Sequence, residues 1–404
     1  MLKLSDFDYK LPKNLIASRP HSPRDKCKLL VYNRQEKQIK HSRFDKILDF
    51  LKAGDILVLN NTKVIPARLI GRRISETENL GRRFKVLLLR QKNNIWEALI
   101  DGKNRRIGLK IDFGKGLRGE IIKWKGEGIW EIKFNKRGKE LENLIFKLGK
   151  MPLPPYIKPS FVKASEGRQP SVETTDSRHK TWYQTVYAKY LGSVAAPTAG
   201  LHFTRRLLQR LKRKGIKIVF LTLHVGLGTF MPVRVENITE HKMQPEYVEI
   251  STKTAAILNK AKKEGRRIIA VGTTTTRALE AVAAQCHAEP TKCHAELVSA
   301  SAKFQNSEAE FSVHYDAGKS RKTLPMIKPF KGEVNLFIYP SYKFKFIDGL
   351  ITNFHLPKST LLMMTAAFLN QNPKKSVNLI KKIYQKAIKK KYKFYSYGDA
   401  MLIL

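Results

Sequence analysis

The chain has 404 residues, 42% of them hydrophobic, and 77 Lys and Arg against 34 Asp and Glu give a formal charge of +43 at pH 7. That length leads to the expectation of two globular domains with at least one large core. The charge points to a polyanionic partner, foremost nucleic acid, because each cation set against a phosphate releases condensed counterions; the alternative is that many lysines, as in KKIYQKAIKKKYKF, only solvate surface helices.

The opening MLKLSDFDYKLPKNLIASRP mixes charge and proline where a secretory signal needs an unbroken apolar segment. The longest apolar runs, IVFLTL and LLMMTAAFL, fall short of the roughly 20 residues that span a bilayer. Three cysteines, Cys27, Cys286 and Cys293, are too few and too odd in number for a disulfide framework. A cytoplasmic protein without membrane contact is expected.

From Asp55 to Phe134, short β-type runs (DILVLN, FKVLLLR, IWEALID, GLKIDFG, GIWEIKF) alternate with Gly, Asn and Lys clusters and predict a small antiparallel barrel. KELENLIFKLGK predicts a helix, and the prolines of MPLPPYIKP mark a boundary. Beyond Thr181, helices WYQTVYAKYLG, TRRLLQRLKRKG, TKTAAILNKAKKEG and TRALEAVAA alternate with strands IKIVFLTLHVG and RRIIAVG, with a later strand near NLFIYP and helices from Ser359 and Lys375. That alternation predicts an α/β layer with largely parallel pairing. Two segments interrupt it: 158–180, polar and non-periodic, is read as a mobile loop, and 285–328, with its echo CHAEP then CHAEL, as an insertion. The expected fold is therefore α/β in two domains, a sandwich-like α/β domain from 1–60 and 152–404 with an inserted β-barrel domain over 61–151.

The blocks RPHSPRDKCKLLV, GDILVLNNTKVIPARL, MPLPPYI, YQTVYAKYLGSVAAPTAGLHFT, LTLHVGLGTF, EHKMQPE, VGTTTTRALE, ITNFHLPKSTL and YSYGDAMLI closely resemble the S-adenosylmethionine:tRNA ribosyltransferase-isomerase family of queuosine biosynthesis. The resemblance implies the same two-domain fold. It also implies that S-adenosylmethionine is a consumed ribosyl donor and not a resident cofactor, so that none is expected. The acceptor it implies is the exocyclic amine of the 7-aminomethyl-7-deazaguanine (preQ1) base at a tRNA wobble position, with adenine and methionine released and epoxyqueuosine-tRNA formed.

Such a reaction requires a base near the acidic C5′ hydrogens beside the sulfonium, a proton donor for departing adenine, and hydrogen bonds to the ribose hydroxyls. Thr198 and His202, in a block of small residues between two helices, are the first candidates; the alternative for His202 is a histidine bonded to backbone at a helix start. His224, with Gly226, Gly228 and Thr229, follows an apolar strand, the edge at which open α/β sheets bind ligands. Thr273, Thr274 and Arg277 start a helix after a second strand and are candidates for a carboxylate or phosphate, against simple helix capping. Asn353 and His355 precede Ser359, a candidate N-cap, and the histidines at 202, 224 and 355 invite a shared site. Arg24, Asp25, Asn60, Arg68, Tyr397 and Asp399 complete the binding candidates, with ion pairing the alternative for the two aspartates and a tRNA-facing role open for Arg68.

No HExxH or close Cys/His spacing joins the histidines, so no metal site is expected. The tail KKKYKFYSYGD interleaves bases and aromatics that suit stacked nucleotides or, equally, a core. Two positions depart from the family pattern: Ser341 stands where glycine is usual, which puts a tight turn in question, and Trp182 stands where arginine is common. A monomer is expected, acting on tRNA. The rival readings are a non-catalytic RNA-binding protein, opposed by the intact histidine and glycine blocks, and an RNA methyltransferase, opposed by the lack of a Gly-rich nucleotide loop after a strand.

Overall fold

The computed structural model describes residues 2–74, 80–154, 156–157, 173–226, 228, 233–288 and 324–404. These fall into two compact units, one of Met1–Asn61, Pro197–Leu223 and Pro232–Leu404, the other of Thr62–Ala196 and His224–Met231. The first unit opens with β1 (Lys28–Asn33), β2 (Gln38–Arg43) and β3 (Ile56–Asn60). The second contributes β4 (Thr62–Val64), β5 (Arg68–Ile74), β6 (Leu80–Lys92), β7 (Ile95–Asp101), β8 (Lys110–Asp112), β9 (Arg118–Gly126), β10 (Ile129–Phe134), α1 (Gly138–Leu148), α2 (Glu173–Trp182) and β11 (Tyr190–Ser193). The chain then returns to the first unit with α3 (Arg205–Arg213), β12 (Lys217–Leu223), β13 (Glu246–Ile250), α4 (Thr252–Lys263), β14 (Ile268–Val271), α5 (Thr273–Ala288), β15 (Phe330–Val334), β16 (Gly349–Asn353), α6 (Thr360–Leu369), α7 (Pro373–Lys389) and β17 (Ala400–Ile403).

In the first unit nine strands form one sheet in the order β15-β13-β12-β3-β14-β16-β17-β1-β2. Every residue of β3, β14, β16 and β17 is buried, as continuous apolar runs require when both faces of a sheet are covered. The pairing is mixed, which corrects the expectation of a largely parallel sheet. β12, β3, β14 and β16 run parallel, as do β1 and β17, whereas β16–β17, β12–β13, β13–β15 and β1–β2 are antiparallel. The reason is connection length: only residues 34–37 separate β1 from β2, and a parallel pair needs a crossover of about a dozen residues. Helices α3, α4, α6 and α7 start where Thr204, Ser251, Ser359 and Asn372 accept from the N–H three residues on.

In the second unit six antiparallel strands close in the order β10-β7-β6-β5-β8-β9. Alternate residues such as Leu69, Val86, Leu88, Ile100, Ile111, Ile121 and Ile132 fill its interior, and α1 adds Leu141 and Ile145 to the same core. Closure leaves no open strand edge. Outside the barrel, β11 pairs parallel with β4 and carries this unit to Ala196, past the end expected for the barrel domain.

Several local expectations need correction. Strands β5 and β9 were not anticipated, because RLIGRRI and RGEIIKWKG place charge on the outer face and glycine on the inner one: a Cβ on Gly119 would lie 2.7 Å from Ile132 Cδ1. WYQTVYAKYLG is not a helix; α2 ends at Trp182, and Tyr190–Ser193 pairs as a strand, with Gly192 at φ +145°. The strand expected near NLFIYP lies earlier, at Phe330–Val334, because its partner β13 begins at Glu246, opposite Val334. Of the segment read as a loop, 173–180 is helical in α2 and the preceding part lies outside the described residues. Within 285–328, α5 continues to Ala288 and Ile327 is held by Asn259 through bonds of 2.8 and 3.0 Å; 289–323, with Cys293, lies outside the described residues.

Candidate active site

The C-terminal end of β16 carries Asn353, whose position as the last residue of a buried strand exposes its amide to the loops beyond. Its Oδ1 accepts from Thr198 Oγ1 at 2.9 Å and its Nδ2 donates to the Tyr395 carbonyl at 3.1 Å. Thr198 opens the short 3-10 turn Thr198–His202, and His202 places its ring between the carbonyls of Ala199 and Gly398, each 3.0 Å from a ring nitrogen. Residues 395–399 therefore tie together Thr198, His202 and Asn353. Tyr397 is buried in this segment, beside the half-buried Arg24, whose guanidinium is shifted below its ordinary range by desolvation.

Asp399 closes the segment. It is almost fully buried, accepts from the backbone N–H groups of Lys28 and Lys393 at 2.7 Å each, and lies 3.2 Å from His21 Nε2. Asp25 accepts from Thr204 Oγ1 at 2.7 Å, and Thr204 caps α3 immediately after the His202 turn. Neither aspartate holds an arginine among these contacts. Thr198, His202, Asn353, Arg24, Asp25, Tyr397 and Asp399 are thus brought to one end of the first unit by β16, the 198–202 turn, the 24–26 turn and the C-terminal segment.

His202 and His355 are held by their own surroundings. Two carbonyls face the two nitrogens of His202, yet a neutral imidazole donates only one proton. Those carbonyls and Asp399 favour the imidazolium, but complete burial outweighs them and lowers the pKa. His355 bonds through Nε2 to Thr352 Oγ1 at 2.7 Å, and its backbone is fixed by the hydroxyls of Tyr384 and Tyr9. Burial pulls its pKa down to about 3, so the ring is neutral near pH 7. Asn60 spends its amide on both backbone groups of Leu223, at 2.9 and 3.0 Å, and Ser359 caps α6.

Helix α5 follows Gly272, which at φ +95° turns the chain out of β14. The hydroxyls of Thr275 and Thr276 bond back to Val271 and Gly272, whereas those of the mostly buried Thr273 and Thr274 make no hydrogen bond among the described residues. Arg277 faces elsewhere. It is buried against Glu246 of β13, and desolvation brings its pKa to about 10. Thr275 and Thr276 thus donate to carbonyls four residues back and do not cap the helix, and ion pairing fits Arg277.

In the second unit, His224 bonds through Nδ1 to Thr62 Oγ1 at 2.8 Å. Gly192 of β11 packs on the ring so closely that a Cβ there would lie 2.7 Å from Nε2. Ser193 Oγ accepts from the Val225 N–H at 2.9 Å, which fixes the segment leading to the half-buried Gly226 and Gly228; Thr229 lies outside the described residues. Arg68 donates to the Leu153 carbonyl at 3.0 Å and so anchors the proline-rich segment.

Sequence reasoning did not single out Thr62, Gly192, Thr204, Thr352 or Glu246. The block NNTKV contained Thr62 and EHKMQPE contained Glu246, but neither residue type signals its partner across 162 or 31 positions; Gly192 was hidden by the mistaken helix. Among the described residues, no group of three His, Cys, Asp or Glu is placed to hold a metal ion.

A family model described as queuosine biosynthesis protein matches residues 4–403. The chain is 43% identical over 406 residues, 100% of both chains, to an S-adenosylmethionine:tRNA ribosyltransferase-isomerase of Halothermothrix orenii, and 44% identical over the same span to one of Desulfitobacterium hafniense. A solved S-adenosylmethionine tRNA ribosyltransferase from Thermotoga maritima is 29% identical, with 99% of this chain and 100% of that one covered and a TM-score of 0.48.

Proposed function

Because the chain belongs to the queuosine biosynthesis protein family, we propose that it is an S-adenosylmethionine:tRNA ribosyltransferase-isomerase. It transfers and isomerises the ribosyl group of S-adenosylmethionine onto the aminomethyl group of preQ1 at a tRNA wobble position, giving epoxyqueuosine-tRNA, adenine and methionine. The observation that carries this reading is the identity of 43% over the whole of both chains to an enzyme of that name. S-Adenosylmethionine is a consumed co-substrate in this account, and no resident cofactor takes part. No described helix is long and apolar enough to cross a membrane, and a monomer acting in the cytoplasm fits the reading.

Within the second unit, His224 is the residue suited to carry a proton. Thr62 fixes its ring orientation, and Gly192 packs against the ring where any side chain would displace it. His202 serves instead as a clamp, holding the 198–202 turn to the C-terminal segment so that Thr198 and Asn353 present a fixed pair of polar groups for the ribose hydroxyls. Neutral His355 supports the β16 loop. Thr273 and Thr274, with hydroxyls unused by the described residues, are the groups at the α5 N-terminus suited to the methionine carboxylate.

The test is to incubate the protein with preQ1-containing tRNA and S-adenosylmethionine and quantify free adenine and methionine. Equal release of both, dependent on preQ1, supports the proposal. Accumulation of S-adenosylhomocysteine would replace it with methyl transfer.

A further inference from the structure

On the barrel, a groove of about 620 Å³ runs over the end of β5, the 106–110 segment, the start of β9 and the end of β10. Its charged lining is Arg73, Arg106, Lys110, Arg118 and Lys133 against the single carboxylate of Glu120. Strand register explains the convergence. Lys110, Glu120 and Lys133 stand in one row across β8, β9 and β10, and Arg118 lies one outward step along β9. Their neighbours Ile111, Gly119 and Phe134 point inward, so β8, β9 and β10 place these charges on the outer face, whereas Arg73 stands opposite Ile111 at the end of β5.

What distinguishes these cations is that none of the five makes an ion pair among the described residues, although the same barrel pairs Lys125 with Glu97 and Glu131, and Lys136 with Glu140. Five cations beside one carboxylate repel each other, and a bound anion relieves that repulsion. The surplus continues past the groove. A second depression of about 510 Å³ shares Arg118 and Asn135 with the first and adds Lys115 and Lys147, whose ammonium groups face each other closely enough that Lys147 lowers the pKa of Lys115.

We propose that this groove binds the phosphodiester backbone of the tRNA substrate as a sequence-independent docking site formed entirely within the barrel unit. The proposal rests on the transferase reading for the identity of the polyanion. A row of cations suits successive phosphates of one strand, since the three guanidinium forks match phosphate oxygens and the two lysines add point charge, while Asn135 is the one side-chain amide in the lining.

The experiment uses the full-length protein with Arg73→Gln, Arg106→Gln and Arg118→Gln combined, beside a charge-matched control with Lys374→Gln, Lys375→Gln and Lys382→Gln on α7, all three exposed. Circular dichroism establishes that both fold. Filter binding of unmodified tRNA transcript, which needs no chemistry, is measured from 50 to 300 mM salt, followed by KM and kcat with preQ1-tRNA. Loss of three phosphate contacts is expected to flatten the log–log salt slope by about three and weaken tRNA binding by about tenfold or more. KM for tRNA rises while kcat and the KM for S-adenosylmethionine stay unchanged. An unchanged slope in the groove variant, or an equal loss in the α7 control, overturns the proposal. Because binding is read separately from turnover, a wild-type protein that binds tRNA but releases no adenine would refute the transferase reading and leave the groove to be judged on the slope alone.

Discussion

Replacing Ser341 by glycine is expected to stabilise the first unit. Tyr339, Pro340, Ser341 and Tyr342 form a turn closed by the Tyr342 N–H donating to the Tyr339 carbonyl at 3.0 Å, with Ser341 at φ +95°. Proline second and a positive φ third is the pattern of a type II turn, which favours glycine at the third place. The turn is held firmly, because Tyr342 donates to buried Glu280 at 3.2 Å and packs on the cluster of Ile338, Met364 and Ala367. A serine forced into the left-handed region costs about 1–2 kcal/mol, and glycine loses about 0.5–1 kcal/mol of that gain through its freer unfolded chain. The net gain is therefore about 0.5–1 kcal/mol. It is read from the urea midpoint by circular dichroism at unchanged m-value, with Ser341→Ala as the control that keeps the strain. A glycine variant no more stable than the alanine variant would refute the reasoning.

Three further outcomes follow from the same geometry. Gly192→Ala sets a Cβ against the His224 ring and should lower kcat by about a hundredfold through misplacement, with tRNA binding by filter assay unchanged. His355 has a folded pKa of about 3 against an ordinary 6.5, so below pH 6.5 the unfolded chain takes up a proton that the folded one refuses. Stability should accordingly fall as pH drops from 6.5 towards 3, by up to about 1.4 kcal/mol per pH unit from this group, and His355→Gln should flatten urea-midpoint profiles over that window. Arg277→Met removes the buried cation facing Glu246 and should cost about 3–5 kcal/mol; adding Glu246→Leu should recover most of it, an outcome that a purely substrate-binding arginine would not give.

Legibility in the sequence followed the local physics. Buried central strands such as ILVLN and the capped helices after Thr204, Ser251 and Ser359 announce themselves through composition and cap chemistry within a few residues. Barrel strands β5 and β9 do not, because their outer faces carry arginines and lysines and their inner faces use glycine at Gly71 and Gly119, which removes the apolar alternation. The C-terminal segment shows the same limit for the site. Asp399 and Tyr397 stood out by residue type, but their partners Lys28 and Arg24 come from the other end of the chain. His202 was recognisable as a notable residue, whereas its two partners, the carbonyls of 199 and 398, carry no side-chain signature.

The measurement that tests the central claim most directly uses S-adenosylmethionine carrying one label in the ribose and another in the methyl group, incubated with preQ1-tRNA and the full-length protein. The account predicts that the ribose label enters tRNA with one adenine released per label, while the methyl label leaves entirely in free methionine. Methyl label in the tRNA, or ribose label remaining in solution while adenine is freed, would contradict it.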